Sequence, residues 1–158
     1  MKPFLTNSLF TILMIFKFIS GVNAQDRINA MSNKKNDINV YVGFFDLNAN
    51  FERNIVQSVK SYSNLRFGFG YAMFLVAGEG YYVNGTFVQL FGAKNSHLEL
   101  NAGLKFMLTN SIADATFSDQ VLPDIFAGYR FEKPTGGIIF RVGLNYPTLL
   151  NFGVGYKF

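Results

Sequence analysis

The sequence predicts an all-β fold, a closed antiparallel transmembrane β-barrel of eight strands. Three observations carry that reading. Hydrophobicity alternates with period two from Ile38 onward, and no long stretch there shows helical periodicity. One face of each alternating run is apolar. The other holds Gly, Asn and scattered charges, not the Lys, Glu, Thr and Ser that cover a soluble surface. The last nine residues, LNFGVGYKF, alternate strictly up to a terminal Phe.

The 158 residues suffice for one domain. With 17% aromatic and 15% charged residues, the chain is too apolar to be disordered. It has no Cys, which excludes a disulfide framework and a Cys-based metal site. Residues 1–24 read as a secretory signal peptide: Lys2, an apolar run from Leu9 to Ile19, then Val22-Asn23-Ala24 as a small-residue cleavage site. That run is short for a membrane-spanning helix, which needs about 20 residues. Removing the signal leaves twelve Lys and Arg against ten Asp and Glu, so the basic balance does not point to nucleic acid. Residues 25–37 read as a flexible periplasmic leader, and 38–158 as the barrel.

The expected strands are 38–46, 49–56, 65–76, 81–91, 97–108, 122–131, 137–146 and 150–158. The first two share INVYVGFFDLNANFERNI, which also reads as one long strand bent near Asp46. In the third, Leu65, Phe67, Phe69, Tyr71 and Met73 oppose Arg66, Gly68, Gly70 and Ala72. The fourth ends before a turn at Gly92–Ser96. In the fifth, Leu98, Leu100, Ala102, Leu104 and Phe106 oppose His97, Glu99, Asn101, Gly103 and Lys105. The sixth sets Ile125, Ala127, Tyr129 and Phe131 against Phe126, Gly128 and Arg130. The seventh sets Ile138, Phe140, Val142 and Leu144 against Ile139, Arg141, Gly143 and Asn145. In the eighth, Leu150, Phe152, Val154, Tyr156 and Phe158 alternate with Asn151, Gly153, Gly155 and Lys157. Thr109–Val121 then forms a long outer loop, whereas QSVKSYSN is long for an inner turn.

Lipid fixes the orientation of these faces. Backbone groups in lipid must all be paired, which forces the sheet to close. A charge at the lipid-facing midplane costs about 2–4 kcal/mol. Arg66, Glu99, Asn101, Lys105, Arg130, Arg141 and Asn145 are therefore expected inside, where ions can pair and glycine relieves crowding. On this reading Leu104→Arg blocks assembly and Gly103→Ser is tolerated. His97 is expected at a turn, as a rim histidine. Gly68-Phe69-Gly70 lacks the third glycine and the helix of a dinucleotide site. With no metal cluster, phosphate loop or nucleophile elbow, no cofactor and no metal are expected.

The terminal pattern Leu150, Phe152, Val154, Tyr156, Phe158 resembles the assembly signal of bacterial outer-membrane barrels, which implies recognition by the barrel assembly machinery. The fragments NFERN, LRFGFGY, HLELNAGLKF, AGYRFEKPTGGIIFRVGLNY and FGVGYKF resemble, in order, the small outer-membrane β-barrel proteins of the Bacteroidota. The sequence departs from that pattern at Phe51, where Tyr is usual, and at Asn101. The resemblance implies location in the bacterial outer membrane, contact with its lipid, and the OmpA/OmpX-like barrel class. A structural or interaction role is expected, with no catalytic activity. The alternatives are a small pore, a lipid-modifying enzyme of the lipid A deacylase type, and a soluble periplasmic ligand-binding barrel.

Overall fold

The computed structural model of the chain describes residues 34–58, 61–74, 78–92, 95–108, 121–133 and 135–158. The expected signal peptide, most of the leader and the loop 109–120 lie outside these residues. Eight strands follow in order: β1 (Asn36–Gly43), β2 (Asp46–Gln57), β3 (Ser61–Phe74), β4 (Gly78–Phe91), β5 (Ser96–Met107), β6 (Val121–Glu132), β7 (Gly137–Tyr146) and β8 (Leu149–Lys157). Each pairs antiparallel with its sequence neighbours, and β8 returns to β1 to close the barrel.

The first hairpin is two strands, not one bent strand. Phe44 and Phe45 make the turn, which places Asp46 at the start of β2 and not at the end of β1. Strand β1 also begins at Asn36, so Asn36 and Asp37, expected in the leader, belong to the barrel wall. Most of QSVKSYSN is strand: β2 runs to Gln57 and β3 starts at Ser61, with a register shift between Asn54 and Val56. The apparent long turn is therefore a hairpin whose bulge disguises the alternation.

Register determines the shape. From Asn36, hydrogen-bonded partners lead through Arg53, Leu65, Phe87, Ala102 and Ile125 to Tyr146 of β7. In the other direction Asn36 meets Phe158, which lies level with Gly136. The stagger is thus ten residues, which for eight strands gives a tilt of about 40°. On β5 the outward apolar row runs from Leu98 to Leu108. At about 3.3 Å per residue and this tilt, it covers roughly 25 Å along the barrel axis, the height of a lipid-facing band.

Outward rows of the strands carry two charges among the described residues, Arg53 toward the terminal end, where β1 starts and β8 finishes, and Glu79 toward the opposite end. Tyr71, Tyr129, Tyr146 and Tyr156 also face outward. The inward rows contain nearly all the buried polar side chains together with Tyr41, Tyr82, Phe126 and Ile139. Inside and outside are inverted relative to a water-soluble barrel.

Candidate functional site

Strand alternation sends one side chain in two into the lumen, and the stagger stacks them in tiers. Asp37, Glu52, Arg66, Glu99, Arg130, Glu132, Arg141 and Lys157 meet toward the terminal end; Asp46, Lys105 and Asp124 meet toward the other. Six carboxylates thus face five cations, which leaves the lumen near neutrality.

Glu52 and Glu99 organise the larger tier. Glu52 Oε2 accepts from Arg66 Nε at 2.8 Å and Nη2 at 2.5 Å. Its Oε1 accepts from Arg130 Nη1 at 2.6 Å and from the Asn64 amide. Glu99 Oε1 accepts from Arg66 Nη2 and Asn101 Nδ2, each at 2.8 Å, and pairs with Arg141 Nη2 at 3.0 Å. Arg130 continues to Asp37 at 2.9 Å. Its Nε lies 2.7 Å from Glu132 Oε2, an ion pair too poorly aligned for a hydrogen bond. Lys157 closes the series on Glu132 Oε1 at 2.7 Å. In the second tier Lys105 donates to Asp46 at 2.9 Å and stands 3.7 Å from Asp124. Asp46 also accepts from the Tyr82 hydroxyl, and Asp124 from Thr86 and Asn145.

Aromatic rings fill the spaces that glycines leave. The Arg141 guanidinium sits 3.8 Å from the Tyr41 ring centroid and 3.9 Å from that of Phe126, with charge over two π faces. A Cβ on Gly153 would lie 2.6 Å from a Tyr41 ring carbon; one on Gly143 would lie 2.6 Å from the Phe126 ring. Each large ring thus requires a bare backbone on a nearby strand. A void between the tiers, lined by Tyr41, Asp46, Arg66, Asn101 and Lys105, is about 10 Å³, room for no more than a single water.

All seven residues expected inside, Arg66, Glu99, Asn101, Lys105, Arg130, Arg141 and Asn145, face the lumen; ion pairs link Arg66, Glu99, Arg130 and Arg141, while Lys105 stands apart in the second tier. Phe152, Val154 and Tyr156 of β8 face outward; Leu150 is half-buried. Phe158 follows the strand and exchanges backbone hydrogen bonds with Asn36 at 3.2 and 2.8 Å.

The sequence reading missed Asp37, Asp46, Glu52, Asp124, Glu132 and Lys157 as members of the cluster. The same alternation assigns Asp46, Asn48, Asn50 and Glu52 to one face of β2, and that signal was available. Two expectations need correction. His97 is not a rim residue: it lies in β5, buried, its ring edge-on to Tyr62 at 5.4 Å. Its neighbour Ser96 faces outward and accepts from the Tyr129 hydroxyl at 2.7 Å, so the two side chains stand on opposite sides of the wall. Nor does Gly103 have room for a side chain: a Cβ there would meet the Gly85 carbonyl oxygen and lie 2.6 Å from Thr86 Cα. The close approach is to the backbone of β4, which cannot yield as a side chain can.

Among the described residues, no group of three His, Cys, Asp or Glu is placed to hold a metal ion. The interior carboxylates are occupied by arginines and lysines, and the arrangement's chemical effect is to lock the strands together and fill the lumen.

No protein-family model matches the chain, and no curated protein sequence matches it. Among solved structures, the chain is similar to Ail, an outer membrane protein of Yersinia pestis whose backbone structure is known in a phospholipid bilayer nanodisc. The identity is 12%, the match covers 80% of this chain and 100% of that one, and the TM-score is 0.46. The closed eight-stranded barrel stands on this chain's own strand register.

Proposed function

We propose that the protein is an integral β-barrel of the bacterial outer membrane with a structural or interaction role, a filled interior and no catalytic activity. One observation carries the membrane reading. Leu100, Phe140 and Val154 are 41%, 51% and 55% exposed on the outer wall, while Arg130 and Arg141, inside it, are 1% and 5% exposed. A soluble ligand-binding barrel needs the reverse, with large apolar residues lining a cavity and charges in water. An apolar patch on a soluble monomer rarely exceeds a few hundred Å²; here the apolar surface encircles the barrel. The resemblance of Leu150, Phe152, Val154, Tyr156 and Phe158 to the outer-membrane assembly signal supports the choice of membrane and engagement by the assembly machinery.

The filled lumen favours the structural role over the pore. Ion pairs of 2.6–3.0 Å join strands that are not neighbours, β2 to β6 and β5 to β3 and β7, and so reach through the lumen. A lipid-modifying enzyme based on Ser96 and His97 has its two groups on opposite faces of the wall.

Cell fractionation with heated and unheated gel samples tests the reading. The expected result is an outer-membrane protein that migrates differently unboiled; a soluble protein with one mobility would contradict it. In planar bilayers no steady channel of defined size is expected, and such a channel would restore the pore. An acyl pattern of lipid A that changes with the gene would restore the enzyme.

A further inference from the structure

We propose that Arg53, at the β2 side, and Lys34, at the β7 side, hold the phosphate headgroups of anionic phospholipids whose acyl chains lie in an apolar furrow along the β7–β8–β1–β2 wall. The inference rests on the membrane reading above and adds a specific lipid class at a specific place.

The furrow is built by side-chain size. Two shallow depressions on the outer wall, about 610 and 760 Å³, share Val40, Phe140 and Val154 and so form one continuous trough. Its floor is valine, with Ala49 at one side, and larger rings, Phe51, Phe140 and Tyr156, stand along it. Short branched side chains between rings leave a channel matched to hydrocarbon.

The terminal end of the furrow is where charge begins. Ile38 pairs with Phe51 there, and the next outward residue on β2 is Arg53, exposed and beside Asn36. Arg53 takes no ion-pair partner among the described residues, unlike the five cations of the interior. Lys34 flanks the other side. The Asn54 amide donates to the Lys35 carbonyl at 2.8 Å, which holds the Lys34–Lys35 segment against β2. The Lys34 side chain then reaches across the β7 side, its Nζ 3.0 Å from where a Cβ on Gly136 would sit. Lys34 also contacts the protein itself, and an ammonium carries three donors, enough for a phosphate oxygen as well. One cation therefore stands at each side of the trough's terminal end, Arg53 at β2 and Lys34 at β7.

The wider charge pattern agrees. At the terminal end Lys34, Lys35, Arg53 and Lys133 are exposed and no described acidic side chain is. At the opposite end the exposed charge on the wall, among the described residues, is Glu79. The described cations of the terminal end attract an anionic leaflet there.

The test uses the full mature chain in phosphatidylcholine bilayers doped with spin-labelled phosphatidylglycerol or spin-labelled phosphatidylcholine. Electron paramagnetic resonance reads the motionally restricted fraction of each. A preference for phosphatidylglycerol of roughly fivefold is expected, about the effect of one basic residue at an anionic surface. It should fall to near parity in the double variant Lys34→Gln, Arg53→Gln. Both positions are exposed, and an unboiled gel shift checks that the variant still folds. Equal restriction of the two lipids by the inserted wild type, or a preference that survives the double substitution, would overturn the lipid site and leave the membrane reading intact. Failure of the wild type to insert, seen as no gel shift and no restricted component, would instead remove the membrane reading beneath it.

Discussion

Consider the substitutions Glu52→Gln and Glu99→Gln, which keep side-chain volume and each remove one fully buried charge. Glu52 uses both oxygens: Oε2 serves Arg66 twice, and Oε1 serves Arg130 and Asn64. An amide offers one acceptor and one donor, so whichever way it turns, one guanidinium faces an NH₂. Breaking one side of a buried ion pair costs about 3–5 kcal/mol, a large share of a typical total of about 5–15 kcal/mol. Glu99 differs. Its three partners share Oε1, and Oε2 has none. An amide nitrogen placed at Oε2 leaves all three contacts standing as hydrogen bonds with no donor facing a donor; the loss is the ionic share at Arg66 and at Arg141, whose carboxylate partner among the described residues is Glu99, about 1–3 kcal/mol. The same chemical change at two positions of one tier thus has two expected outcomes. Urea unfolding of the reconstituted protein, followed by far-ultraviolet circular dichroism because the chain has no Trp, measures both. A Glu99→Gln loss equal to or above that of Glu52→Gln would refute the bonding pattern assigned to the lumen.

Three further outcomes follow from the wall and lumen. Gly103→Ser should destabilise by about 1–3 kcal/mol through overpacking against the β4 backbone; wild-type unfolding of this variant would show that the approach is looser than described. Tyr82→Phe strips Asp46 of a hydroxyl donor and Asn48 of an acceptor, for an expected loss of about 1–3 kcal/mol in the same assay. Leu104→Arg puts a charge on the outer wall, costs about 2–4 kcal/mol if that wall meets lipid, and should abolish the heat-shifted gel band. Its normal assembly would count against a lipid-facing position.

Much of the fold was legible because period two is local. Strands β3, β5, β6, β7 and β8 each declare their two faces within runs of seven to twelve residues, and Arg66, Glu99, Lys105, Arg130 and Arg141 fall inside by that rule alone. What stayed hidden depends on distant partners. Asp37 closes a polar run that looks like a flexible leader, and its reason for order is Arg130, 93 positions later. His97 follows a turn, and only the position of Tyr62 across the lumen reveals its burial. The bulge near Asn54 breaks the alternation and makes a hairpin look like a long loop. At Gly103 the residue type signals a need for space without saying whose backbone is near. Counting glycines on a face predicts a crowded lumen; the stagger of ten decides which ring faces which glycine.

The claim that lipid surrounds the outer wall is tested most directly by spin-label accessibility. Because the chain has no Cys, Leu100→Cys, Phe140→Cys and Val154→Cys each give a single labelling site. In phospholipid vesicles all three labels should collide freely with oxygen, which concentrates in hydrocarbon, and be shielded from a water-soluble nickel chelate. Nickel collisions at all three sites comparable to those of a label in water would contradict the account.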